Sequence, residues 1–364
     1  MRMPWQRRSG GDLLVVSWLD QTLAYVRGQV LGDGKYRVVG FGVERQGSDK
    51  PADFARRLDG LGLRGCETRV MLRPQQYQWL QIEAPGVPPE ELRSAARYQI
   101  REMLDVHIDD VTLDVMRVGD GQNQKGPAHL FVVAAPNAAV QSSRALAQAM
   151  RWTMPVVDVQ ETAQRNLQNA LAQDDGRPER ATAALVLVDD YQAILTICSN
   201  EEIFYSRRLE VPPGFLLGGW AAADGGQGAQ ADAYTPVGEY VPDYGVDGVS
   251  HGSDYSVATV SRPASAANAA SEQVERAQRF LVEVQRSLDL WDRAWSSLPL
   301  AAVRVQAGAR TAELAQWLSR ELNQSVLPMD MQAHFQGFEG GDAQDRAACW
   351  PLLGLLMRTD SRKL

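Results

Sequence analysis

Two stretches about half a chain apart are built alike, and this most limits what the chain can fold into. Leu13 to Gln29 reads LLVVSWLDQTLAYVRGQ, and Leu185 to Asn200 reads LVLVDDYQAILTICSN. Each is an apolar strand, a short turn carrying aspartate, and a second apolar strand. A repeated strand-turn-strand unit predicts two halves on one plan, and 364 residues suffice for two domains of ordinary size. Turns that cradle a phosphate rely on glycine, because their N–H groups must come close to the anion. Neither turn here contains one.

Hydrophobic residues make up 45% of the chain and charged residues 23%, so a sizeable core needs no staples. A net charge of -8 disfavours broad nucleic-acid binding. Cys66, Cys198 and Cys349 are odd in number and far apart. That argues against a disulfide framework and for a reducing compartment. No apolar run is long enough for a transmembrane helix. The opening MRMPWQRRSGG has no apolar centre, so it does not read as a secretory signal. Its Arg2, Trp5, Arg7 and Arg8 suit an anionic membrane surface, but so few charges bind weakly alone. Residues 1–11 are therefore read as a flexible tail.

Local motifs for catalysis are absent. His107, His129, His251 and His334 show no metal-ligand spacing. The one Gly-x-Ser-x-Gly match, Gly248 to Gly252, has neither a strand before it nor a helix after it. No P-loop or dinucleotide fingerprint occurs. Asp109 and Asp110 read as turn residues ahead of a strand.

Periodicity predicts three opening strands, a helix over 51–61, strands at 69–72 and 77–82, and a helix from Pro88 to about Leu104. Strands at 112–118 and 129–135 and a helix to Met150 follow. The second half opens with a strand at 156–158 and a helix over 161–172, before the second hairpin and a third strand at 202–209. Residues 218–271, rich in Gly, Ala, Ser and Asp, read as a disordered low-complexity loop. From Ser271, Val274, Ala277, Leu281, Val284, Leu288, Trp291 and Trp295 form an apolar stripe, expected to pack on a sheet. A strand at 301–306, a helix at 311–323, a strand at 326–328 and a last helix around 350–358 complete the chain.

The order of these elements resembles the PilM family, the actin-like proteins of type IV pilus machines. The resemblance is carried by ARYQIREMLDVHIDDVTLDVMRV at 96–118, VVAAPNAAVQ and PVVDVQ within 130–160, QRSLDLW at 285–291 and WPLLGLLMR at 350–358. Within that family the chain is most similar to the MshI-like branch of MSHA-type pili. It also resembles the cytoplasmic part of the type II secretion L component. The resemblance implies an α/β, actin-like (ribonuclease H-like) duplicated two-domain fold with a small subdomain inserted in the first half. The implied lobes are 12–154, with the insertion at about 66–135, and 155–358, interrupted by 218–271.

The same resemblance implies three nucleotide loops, all degenerate here. Ser17 and Leu19 stand at the first loop's acid and glycine positions, with Asp20 and Thr22 nearby. Leu187 and Asp189 stand at the second loop's, and only Gly308 remains of the third loop's glycine pair. Asp189 would face a phosphate with like charge. The expectation is a pseudo-ATPase with no cofactor and no metal site, weak ATP binding staying open. Its implied role is a cytoplasmic scaffold, peripheral to the inner membrane through a PilN-type (MshJ-type) single-span partner. The partner's N-terminus would bind in a groove between residues 12–45 and 69–135. An active actin-like ATPase or phosphotransferase and a type II secretion L-type component are the alternatives.

Overall fold

A computed structural model describes residues 12–119, 128–220 and 264–359. The tail at 1–11, most of the loop at 218–271 and the Gly-x-Ser-x-Gly match lie outside the described residues.

The first lobe opens with β1 (Leu13–Leu19), β2 (Thr22–Gly32) and β3 (Lys35–Arg45), followed by helix α1 (Pro51–Gly60) and β4 (Glu67–Leu72). Next come β5 (Gln78–Glu83), α2 (Leu92–Gln99), β6 (Val111–Arg117), β7 (His129–Pro136), α3 (Asn137–Met150) and β8 (Thr153–Val159). The second lobe contains α4 (Gln160–Asp174), β9 (Ala181–Leu187), β10 (Gln192–Ser199), β11 (Glu202–Glu210), α5 (Ala264–Ala294), β12 (Leu300–Gln306), α6 (Thr311–Glu321) and β13 (Val326–Pro328). The chain then returns to the first lobe through β14 (Phe335–Gln336), α7 (Ala343–Cys349) and α8 (Leu352–Leu356).

Duplication is visible in the sheets. The first is ordered β14-β3-β2-β1-β4-β8 and the second β11-β10-β9-β12-β13. In both, an antiparallel meander is followed by two parallel strands that cross over beside its first strand. A third sheet, β5-β7-β6, is the insertion.

Strand alternation sorts the core into layers. On β1, Leu14 and Val16 face α1 and α3, while Val15 faces the centre of the molecule. On β9, Ala181, Ala183 and Leu185 face α5 and α6, while Ala184 and Val186 turn to the same centre. Helices α4 and α8 fill that centre, between the two sheets. They touch at Gly354, where an added Cβ would lie 2.0 Å from the carbonyl oxygen of Ala163. Asn166 Nδ2 donates to the Gly354 carbonyl at 2.9 Å across the same contact.

Several expectations need correction. Val156–Asp158 belongs to β8, which pairs with β4, so the first lobe's sheet runs to Val159 rather than ending at 154. Within the range 66–135 expected for the insertion, Glu67–Leu72 pairs with β1, and the separate sheet begins at Gln78. Helix α5 starts at Ala264, not Ser271, because ASAANAA is a run of good helix formers. At the other end of the expected loop, Trp220 is buried on Phe215 beneath the Arg310 guanidinium. The helix expected from Pro88 to Leu104 is broken into 3-10 turns at 89–91 and 101–103 around α2. Strand β14 and helix α7 add to the expected elements. The stripe on α5 is buried against the second sheet, with Phe280 beside it.

Candidate functional site

The two hairpins close their turns differently. At β1–β2, Asp20 and Gln21 both have left-handed φ, 48° and 58°, between the paired residues Leu19 and Thr22. This is a two-residue turn with the twist a hairpin needs, built without glycine. At β9–β10 the turn is four residues long and is held by a side chain. Asp189 Oδ1 accepts the backbone N–H groups of Tyr191 and Gln192, both at 2.8 Å. Such a pair of converging amides is a ready anion site. Here the protein's own carboxylate occupies it.

Between the hairpins lies a segment whose role was not legible in the sequence, Arg73 to Tyr77, directly after β4. Arg73 Nε donates to Ser17 Oγ at 2.9 Å, and Nη2 donates to the Ala348 carbonyl at 2.6 Å. Burial pushes the Arg73 guanidinium below its ordinary value, while Cys349, Tyr77 and Asp189 act in the opposite direction. Gln75 Nε2 donates to the other oxygen of Asp189 at 2.9 Å, and Gln76 Nε2 to the Trp18 carbonyl at 2.9 Å. The segment thus bonds to both hairpins and bridges them.

Tyr77 extends this wedge into a buried network. Its hydroxyl donates to Glu161 Oε2 and accepts the Gln160 N–H. Glu161, fully buried at the start of α4, also accepts from Arg208 Nε and Nη2 at 3.2 and 3.1 Å. Arg208 on β11 stacks over the Tyr77 ring and donates to the carbonyls of Pro74 and Tyr77. Burial, followed by the Glu161 carboxylate, pushes the Tyr77 hydroxyl well above its ordinary range. First lobe, central helix and second lobe therefore meet at one tyrosine and one glutamate.

The remaining predicted positions are distributed around this wedge. Ser17 is buried and used by Arg73. Thr22 Oγ1 donates only weakly, to the Asp20 carbonyl at 3.4 Å, and Leu187 packs against the second lobe's core. Gly308, with φ 56°, starts a 3-10 turn that leads into α6 and lies against Ala347 of α7. Ser17 and Asp189 are joined through the wedge, whereas Asp20 is exposed at the first turn. Residues 12–45 and 69–135, between which a partner groove is expected, are joined where Gln76 Nε2 donates to the Trp18 carbonyl. Asp109 and Asp110 lie in a 3-10 turn before β6. Among the described residues no group of three His, Cys, Asp or Glu is placed to hold a metal, and no helix is long and apolar enough to cross a membrane.

No protein-family model and no curated protein matches the sequence. Solved structures do. Over 95% of this chain and 98% of the other, it superposes on the chain from a PilM-PilN type IV pilus biogenesis complex with a TM-score of 0.60 and 14% identity. The cytoplasmic domain of EpsL, an inner-membrane component of the Vibrio cholerae type II secretion system, matches at TM-score 0.39 and 14% identity, covering 59% of this chain and 79% of that one. A Bacteroides thetaiotaomicron protein with an actin-like ATPase fold matches at 0.44 and 7% identity, over 96% and 100% of the two chains.

Proposed function

From the fold that the chain shares with the chain of a PilM-PilN type IV pilus biogenesis complex, we propose that it is a non-catalytic scaffold of a type IV pilus assembly platform, of the MSHA type, held at the cytoplasmic face of the inner membrane. Its partner is the cytoplasmic N-terminus of a PilN-type, MshJ-type, single-span protein. The solved relative that supports this partner is itself a PilM-PilN complex.

One observation carries the non-catalytic part: polar groups at both hairpins are already paired within the chain. The amides of the second turn already hold the Asp189 carboxylate, and Arg73 already satisfies Ser17. A nucleotide phosphate entering there would lose those amides to a competitor of the same charge and would have to displace Gln75. Catalysis of phosphoryl transfer rests on donors aimed at the phosphate oxygens, and these donors are spent.

Two measurements test the proposal. Titration calorimetry with the partner's N-terminal peptide should give saturable binding, and none at high micromolar concentration would sink the scaffold role. Mg-ATP should leave the melting temperature unchanged. A ligand at a hundred times its Kd adds about 2.7 kcal/mol, so a clear shift would restore the ATPase reading.

A further inference from the structure

We propose that His334 is a proton-operated latch: its charged ring ties the turn between β2 and β3 to the end of α4, and loss of one proton releases the turn. His334 lies where the chain comes back from the second lobe to the first, between β13 and β14. It is the one buried histidine among the described residues, with a side chain 11% exposed. Nδ1 lies 2.9 Å from the Gly34 carbonyl oxygen, and Nε2 lies 2.7 Å from Asp174 Oδ2. A carbonyl oxygen and a carboxylate oxygen can only accept. A neutral imidazole carries a single N–H and can donate to one of them, whereas an imidazolium donates to both. The two short distances together therefore belong to the charged ring.

Proton loss has a defined direction. A charged acceptor makes the stronger bond, so the neutral ring keeps its N–H at Nε2 for Asp174. Nδ1 then turns a lone pair toward the Gly34 oxygen, and an attraction becomes a repulsion. The ring is too enclosed for water to relieve it. Other charged groups stand around this point. In the turn, Asp33 and Lys35 flank Gly34 and are exposed. On α4 and β12, Asp175 and Arg304 pair with each other at 2.5 Å. Ahead of the histidine, Asp330 accepts the Gln332 N–H. On β3, Tyr36 gives its N–H to the His334 carbonyl at 2.8 Å and stacks its ring on Phe335. Among the described charged groups, Asp174 is the one that meets a ring nitrogen. Release at Gly34 matters because β14 is only two residues long, held to β3 through Tyr36 and Arg37. The latch is closed on the acid side, and it opens as the pH rises and the ring gives up its proton.

The test uses the whole chain without any partner, so it stands apart from the peptide-binding experiment above. Amide hydrogen exchange is followed by NMR at about pH 5.5 and about pH 7.5, a span in which histidine changes charge. The protection factor of the Tyr36 amide, taken relative to the intrinsic exchange rate at each pH, should fall roughly fivefold, the worth of one hydrogen bond. Ring nitrogen-15 signals of His334 should show two N–H groups at the lower pH and one, at Nε2, at the higher. Asp174→Asn is the decisive variant, and the half-exposed position of Asp174 lets it fold. An amide can accept from the charged ring or donate to the neutral one. Neutral His334 could then keep Nδ1–H on Gly34 while Nε2 accepts from the asparagine, so the fall in Tyr36 protection should vanish. A histidine that merely fills space would give no difference between parent and variant. Level Tyr36 protection in the parent would overturn the proposal. So would a single ring N–H at the lower pH, two at the higher, or a fall that persists in Asp174→Asn.

Discussion

The two hairpins are copies of one unit, and they dispense with glycine in opposite ways. The first accepts strain: two non-glycine residues, Asp20 and Gln21, sit in the left-handed region. The second avoids it by lengthening the turn and letting Asp189 bind the free amides. A fold that needs its turns to stay open for a ligand can use neither solution, because both leave side chains where the ligand would go. Losing glycine from such a turn therefore does more than add bulk. It hands the turn's hydrogen-bonding groups to the protein.

The comparison can be broken at several places. The largest effect is expected where the lobes carrying the hairpins are joined. Gly354→Ala puts a methyl group 2.0 Å from the Ala163 carbonyl oxygen, a backbone atom, so α8 or α4 must shift. A loss of about 4 kcal/mol or more is expected in urea unfolding; a variant as stable as the parent would mean that the helices do not touch there. Next comes Glu161→Ala, which leaves the half-buried Arg208 without its carboxylate and the buried Tyr77 hydroxyl without its acceptor. The cost should be about 3–5 kcal/mol, and a cost below about 1 kcal/mol would show the network to be dispensable.

Smaller effects separate the hairpins themselves. Asp189→Ala removes the cap on two amides and the partner of Gln75, for a loss of about 1.5–3 kcal/mol. The same variant frees the anion site, so inorganic phosphate should begin to protect it against heat. At the first hairpin Gln21→Gly should act in the opposite direction. It relieves the left-handed conformation and, net of glycine's entropy in the unfolded chain, should stabilise by about 0.5 kcal/mol. If both substitutions destabilise alike, the two turns are not closed by different means.

A last effect is read against pH rather than by substitution. Burial raises the Cys198 and Cys349 thiols from 9.0 to about 12, and raises the Tyr77 hydroxyl well above 10.0. Each stays neutral in the folded chain while its unfolded counterpart ionises. Their contribution is complete below about pH 9 and is lost as the pH climbs through the raised values, because the unfolded chain then binds fewer protons. Urea midpoints should be level from neutrality to about pH 8 and fall by about pH 11. A midpoint that rises over that range would contradict the burial of these groups.

Most of the frame was legible in the sequence, since local pattern carries it. The paired strands, the stripe on α5 and the strand after each lobe's crossover announce themselves within a few residues. The wedge does not. Arg73, Gln75 and Gln76 look like any polar turn between two strands, and their partners Ser17, Trp18, Asp189 and Ala348 lie 56, 58, 114 and 275 residues away. Only the Asp189 cap left a local sign, an aspartate two residues ahead of the amide it binds, the pattern of a side chain closing its own turn. The alanine-rich start of α5 is the opposite case. Simple composition suggested a loop where helix propensity decided the outcome.

The contact between Gly354 and Ala163 also has a mechanical meaning. Helices separated by ordinary side chains can slide over one another while those side chains change rotamer. At this crossing one backbone rests directly on the other, so nothing is there to yield, and Asn166 pins the same point. Any shear between the lobes would have to lift α8 off α4 before it could begin. A pull applied to one lobe is delivered to the other without slack, which makes the molecule a stiff link rather than a hinge.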